Sequence, residues 1–217
     1  MKDYTKAIVV FKIGRREHMC RLLHEGLLYM NCVDYFRNSN NSDQGDEFEG
    51  AEIVDCGKVV SYRSTILQEK VFCLWHVNDR DSPCVDKCEQ RNDGLWELSI
   101  DTKKFKGFTN GNLESSALVV IRNMKEFNQR LKKVLSERFP HRYWSNAVQY
   151  YDPNEAHFLP VNAFMKPSLY QKQNELRYLV LDDIYNLGKP LEIRIGDITD
   201  IAVMFPMSQI KIIAEEK

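Results

Sequence analysis

The apolar residues of this chain come in short runs of strand length. AIVVFKI (7–13), EIVDC (52–56), KVVSYRSTIL (58–67), KVFCLWHV (70–77), LWELSI (95–100), ALVVI (117–121) and YLVL (178–181) are rich in Val, Ile, Tyr, Phe and Trp. Such residues suit a pleated, half-buried surface, and polar clusters with Gly, Asn, Asp or Pro punctuate the runs as turns do. The tail adds LEIRIG, DITDIAVMF and IKIIAE, three short strands or two with a turn between them. Helical spacing occurs in few places. Met19, Leu22 and Leu23 share a face over Arg16–His24, with Glu25-Gly26 as the stop. Phe127, Leu131, Val134 and Leu135 do so over Lys125–Arg138, where Asn123 and Glu126 form a capping-box-like pattern. A further turn of helix is expected around Val33–Arg37. Gly14 is expected to break the first strand, Asn38–Gly50 to be a solvated loop, and Asn78–Asp93 to be irregular. With no internal repeat, low-complexity segment or clear linker, the pattern predicts a single strand-rich α+β domain over 1–217, with a few helices.

Composition narrows the function classes. Thirty basic residues against 31 acidic ones leave no overall field that would draw the chain to nucleic acid or an anionic membrane; such a balance is compatible with a local basic groove. The opening MKDYTKAIVVFKIG has too short an apolar run for a secretory signal, and no stretch approaches membrane-span length. A soluble, cytoplasmic protein without membrane association is expected. Six cysteines in that setting read as thiols rather than as a disulfide framework. Cys73, His76, Cys84 and Cys88 are zinc-type ligands within one short region. However, Cys73 falls in VFCLWHV, where cysteine behaves as a small hydrophobe, so no metal is expected.

The segment Lys166–Leu181, KPSLYQKQNELRYLVL, sets a polar knot immediately before an apolar run. In extended backbone Gln173, Glu175 and Arg177 alternate and face the same way. An amide, a carboxylate and a guanidinium so placed form either a polar site or a salt-bridged strand edge. The Gly-x-Ser-x-Gly elbow, the phosphate-binding GxxxxGKS loop, the GxGxxG turn and the HExxH helix are all absent, which leaves this knot as the candidate site. The segment Arg138–Tyr151, with HRYWSNAVQYYD at its heart, is basic and aromatic. It is either a surface on which a base or nicotinamide ring stacks or a half-buried edge packed by aromatics. A non-catalytic module that binds nucleic acid or protein through 138–151 is the alternative reading.

Two stretches carry a family resemblance. VVFKIGRREHMCRLLHEGLLYMN (9–31) resembles the opening of ADP-ribosyltransferase-fold enzymes, among them bacterial toxins that modify nucleic acid. Gln173-Asn174-Glu175 is similar to that family's Gln/Glu-x-Glu motif, which lies at the mouth of a late strand. The chain also resembles a group of uncharacterised bacterial proteins with GLLYMN…YFR early and Y..Q.E.R late. The first resemblance implies a split sheet and an enzyme that uses NAD as substrate and transfers ADP-ribose to a macromolecule, with RNA or DNA as candidate acceptor. Glu175 would be the catalytic carboxylate and Gln173 would orient the acceptor. Lys12 or Arg15 would fill the polar position of the first strand, and Lys12, Arg15, Tyr29, Tyr170 and Arg177 would bind the cofactor. Ser61-Tyr62-Arg63-Ser64-Thr65 is the candidate for the family's middle motif. A bacterial toxin or anti-phage effector, with an antitoxin or regulatory protein as partner, is the implied setting.

Overall fold

The β-branched runs become strands in the order in which the sequence presents them, except that KVVSYRSTIL is strand only over Lys58–Tyr62 and turns over 64–68. The computed structural model describes residues 9–39, 45–77, 85–90, 92, 96–100, 105, 112–207 and 210–214. The first part of the chain forms β1 (Val9–Arg15), α1 (Arg16–Glu25), β2 (Leu27–Cys32), α2 (Val33–Arg37), β3 (Ala51–Asp55), β4 (Lys58–Tyr62), β5 (Glu69–Val77), β6 (Val85–Gln90), β7 (Trp96–Ile100) and β8 (Ser116–Ile121). After α3 (Met124–Arg138) come β9 (Tyr143–Ala147), β10 (Gln149–Tyr151), β11 (Leu159–Pro160), β12 (Met165–Pro167), a 3-10 helix (Ser168–Gln173) and β13 (Glu175–Leu181). A 3-10 turn (Ile184–Asn186) then leads to β14 (Leu191–Arg194), β15 (Ala202–Pro206) and β16 (Ile210–Ala214). The fold is strand-rich α+β. Among the described residues no helix is long and apolar enough to cross a membrane.

Two local expectations are corrected. Gly14 does not end β1; it pairs with Ala117 inside the ladder, and the Met19 side chain lies over it, so that a Cβ there would come 3.0 Å from Met19 Cε. The polar stretch after β5 contains β6, which gains order by pairing with β7. Ladder pairing overrides weak local propensity there.

The chain divides into two compact units, with β5 and α3 contributing residues to each. The first holds residues 1–27, 74–132 and 194–217. In it β1 runs antiparallel to the end of β5 (Phe11 opposite Trp75) and to β8 (Phe11 opposite Val120), and β15 pairs with the other edge of β8. Phe11 and Trp75 stack at 6.3 Å, and Phe105 meets both rings edge-on. This aromatic trio joins Val9, Ile13, Val77, Leu118, Val120 and Met207 in one core. β7 lies between β6 and β16 in a separate antiparallel sheet.

The second unit holds residues 28–73 and 133–193. β13 pairs with β5 and, antiparallel, with β9; β2 pairs with β5 as well. The β3–β4 hairpin carries β11 on its edge, and β10 and β12 form a short parallel pair. Val33, Ile66, Val71, Ala163 and Leu179 make one core; Ala51, Val54, Ala156 and Val161 make another. The succession of β12, 3-10 helix and β13 is what sets the candidate site.

α1 ends as its sequence predicts. Gly26 is left-handed at φ 58, and its N–H caps the Arg21 carbonyl. A Cβ at this position would lie 2.1 Å from the Gly196 carbonyl oxygen. Gly26→Ala therefore meets both backbone strain and a steric clash, and should lower unfolding free energy by about 2 kcal/mol or more. Urea denaturation of the variant beside the parent chain checks it.

Candidate functional site

Gln173, Glu175 and Arg177 do come together, but by a different local route from simple alternation. The 3-10 helix ends at Gln173, and Asn174 turns the chain at φ 41 before β13 begins. Asparagine is among the few residues that accept this left-handed conformation at modest cost. Lys166, delivered by β12, then gathers the knot: its Nζ donates to Gln173 Oε1 at 2.7 Å and to Glu175 Oε1 at 3.3 Å. Arg177, two residues along the same face of β13, donates from Nε to Glu175 Oε2 at 2.8 Å.

The partners that complete the site come from the α2–β3 connection. Arg177 Nη1 and Nη2 each donate to Glu49 at 2.7 Å, a bidentate pair, and Nη1 also donates to the Ala163 carbonyl. Asp46 Oδ2 and Glu49 Oε2 lie 3.8 and 3.7 Å from Lys166 Nζ. Asp46, Glu49, Lys166, Gln173, Glu175 and Arg177 are all buried, none more than 8% exposed. The expected solvated loop is thus corrected over 45–50. Two of its acids are drawn inside because buried cations there need counter-charges.

Three carboxylates face two cations, and the surplus decides the protonation pattern. Burial opposes ionisation of Glu175, but Lys166 and Arg177 overcome it and pull the carboxyl down to about 2. Burial likewise opposes ionisation of Glu49, and Arg177 and Lys166 reverse it. Asp46 is left over. Its burial and the charge of Glu49 push it up to about 7, while Oδ1 accepts from the Phe48 N–H and Oδ2 has no hydrogen-bond partner among the described residues. Around the cluster, Tyr150 Oη accepts from the Glu175 N–H at 3.2 Å. The Tyr170 ring lies 5.0 Å from Lys166 Nζ, and its phenol is pushed up to about 12 by burial and by Asp46.

Further along β13 the same face of the strand opens into a pocket of about 300 Å³. Its lining includes Leu179, Leu181, Ala163, Phe164, Trp144 and Arg63, an apolar floor with an aromatic wall, at the small end of ligand-pocket sizes. Arg63 donates two hydrogen bonds to Glu69, at 2.9 and 2.6 Å, and Thr65 donates to the same carboxylate. Pocket and ion cluster share Ala163, whose carbonyl binds Arg177 while the residue itself lines the pocket.

Of the residues expected at the site, Gln173, Glu175, Arg177 and Tyr170 meet around Lys166. Tyr29 is exposed on β2. Lys12 and Arg15 belong to β1 in the first unit, Lys12 half-buried opposite Val119 and Arg15 exposed opposite Ser116. Cys73 and His76 lie on β5; Cys84 and the side chain of Cys88 fall outside the described residues. The basic-aromatic segment forms β9 and β10, with Arg142 paired to Asp183 and Trp144 46% exposed. Asp46, Glu49 and Lys166 were not foreseen. Their sequence signals were an acidic turn directly before a strand and a lysine set between Met165 and Pro167. No family model, curated protein or solved structure matches the chain.

The surplus carboxyl gives stability a distinctive pH profile. In the folded chain Asp46 keeps its proton up to about 7, whereas unfolded it loses it near 3.8. Folding then takes up a proton across that window, so stability falls as pH rises through it, by at most about 1.4 kcal/mol per pH unit. Glu175 acts oppositely: its contribution is complete above its ordinary 4.5 and is lost as pH falls toward 2. Unfolding free energy should peak between these limbs, at about pH 4–5. Asp46→Asn should flatten the descending limb in urea titrations at several pH values; an unchanged limb would reject the assignment.

Proposed function

We propose that the chain is an ADP-ribosyltransferase-like enzyme that uses NAD and modifies a macromolecule, with nucleic acid the first acceptor class to test. The observation that supports it is the meeting of Gln173 and Glu175 on Lys166 at the mouth of β13, on the face that continues into the aromatic-walled pocket. A flat ring could lie on the apolar surface that Trp144, Phe164, Leu179 and Leu181 give the pocket. Arg63 and Thr65, from the candidate middle motif, are among the residues that line the pocket.

In this reading Glu175 is the catalytic carboxylate. Its low pKa keeps it anionic at any working pH, as needed by a group that holds a ribose hydroxyl and stabilises positive charge when the nicotinamide–ribose bond breaks. Gln173 orients the acceptor. Lys166 and Arg177 neutralise Glu175 in the ligand-free chain, so turnover requires Lys166 to yield its contact as NAD docks. A small cytoplasmic toxin or anti-phage effector, restrained by a partner protein, is the setting that fits.

Incubation with labelled NAD and RNA, DNA or cell extract should release nicotinamide and transfer label. Glu175→Gln should lower this by at least about 100-fold while near-ultraviolet circular dichroism shows the fold retained. Absence of both nicotinamide release and transfer in the parent chain under several conditions sinks the proposal; full activity in Glu175→Gln sinks the site.

The second reading, a nucleic-acid or protein-binding module on 138–151, is favoured by exposed Trp144 on β9. It predicts nucleic-acid affinity that falls steeply with salt as phosphate contacts release counterions. A filter-binding series with flat or absent binding removes it.

A further inference from the structure

At the tip of the β3–β4 hairpin, apart from the buried cluster, three different donor types converge. Cys56 Sγ lies 3.5 Å from His157 Nδ1 and 3.6 Å from Asp55 Oδ1, and His157 Nδ1 lies 3.9 Å from the same oxygen. A thiol, an imidazole and a carboxylate thus meet on an exposed surface, one donor more than the loose His157–Asp55 ion pair uses. The distances themselves carry information. With bonds of about 2.3 Å to sulfur and about 2.0–2.2 Å to nitrogen and oxygen, a tetrahedral zinc-type ion sets S···N and S···O at about 3.5–3.6 Å and N···O at about 3.3–3.4 Å. Two edges of the triangle already match, and the third must shorten by only about 0.5 Å.

The scaffold holds this triangle in place. Cys56 N–H donates to the Ala156 carbonyl and Gly57 N–H to the Pro153 carbonyl, both at 2.7 Å, which pins the hairpin tip to the 153–158 segment. The Phe158 N–H donates to Asp55 Oδ1 at 3.2 Å, the kind of outer bond that orients a ligating carboxylate. The hairpin turn consists of Cys56 and Gly57, with φ of 45 and 77. Two successive positive-φ residues are what a two-residue primed turn needs, and asparagine before glycine is the preferred pair. Cysteine stands where asparagine would fit the backbone better.

We propose that Asp55, Cys56 and His157 bind one divalent transition-metal ion of the zinc class, in a tetrahedral site whose fourth position is open to solvent. Three protein ligands of mixed N, S and O type with one free position is the pattern of a reactive rather than a closed structural zinc site. Binding converts the Cys56 thiol and the aqueous ion to a metal thiolate and one released proton. Asp55 and His157 bring a second anionic donor and a neutral one, so the two negative charges of the ligands balance the divalent ion. Because binding displaces the Cys56 proton, affinity rises with pH.

Cobalt(II) is the probe. Titrated into the reduced, full-length chain, it should give the intense visible bands of tetrahedral cobalt and a near-ultraviolet sulfur-to-cobalt band, saturating at one ion per chain and bleached by added zinc. Cys56→Asn, which suits the turn and so preserves the fold, should abolish the sulfur-to-cobalt band. His157→Asn should weaken binding by more than the roughly 100-fold reached by changes outside the ligand set. The double variant Cys84→Ser/Cys88→Ser should keep all bands. Absence of tetrahedral bands in the parent chain overturns the site, as does their survival in Cys56→Asn or their loss in the double variant.

Discussion

Everything around β13 depends on satisfying one buried guanidinium. Arg177 is 2% exposed, and a charge in that position is tolerated only when it is paired and hydrogen-bonded. Its four bonds reach β13 itself through Glu175, the α2–β3 connection through Glu49, and the segment before β12 through the Ala163 carbonyl. The distant Glu49, 128 residues away, and the nearer Ala163, 14 residues away, are thereby held against one strand. Removing one partner from such a group costs about 3–5 kcal/mol, whereas replacing the whole set with apolar residues is often neutral. The cluster is therefore better understood as fixing which segments meet than as adding net stability.

That fixation gives the pocket its shape. Glu175, Arg177, Leu179 and Leu181 are alternate residues of one strand and so share a face. The polar half of this face meets Glu49 and Lys166; the apolar half lines the pocket with Phe164 and Trp144. Arg177 binds the carbonyl of Ala163, a residue that also lines the pocket, so cluster and pocket share one anchored segment.

Much of this architecture was legible in the residues, for local reasons. β-branched runs became strands, Gly26 closed α1, and Asn123 accepts the Glu126 N–H at 3.0 Å as a helix cap should. The polar knot was legible as a candidate because amide, carboxylate and guanidinium preceded an apolar run. Its meaning was not. Arg177 and Glu49 are 128 residues apart, and no local pattern says that an acidic turn will be drawn inside to meet them. β6 escaped for the same reason: its order comes from β7, not from its own composition. The metal-ligand types in the sequence drew attention to Cys73–Cys88, while the converging trio pairs a hairpin tip with a histidine about a hundred positions later.

The odd carboxylate has a consequence for any ligand that reaches this face. With two cations already matched by Glu49 and Glu175, Asp46 stands near neutral pH as a reservoir of one exchangeable proton. An anionic ligand group settling nearby would draw a proton onto Asp46, and a cationic one would expel it. The site can thus adjust its own charge without moving a side chain. Binding there would exchange protons with the buffer, and the apparent affinity of a charged ligand would shift with pH even when the ligand itself does not titrate.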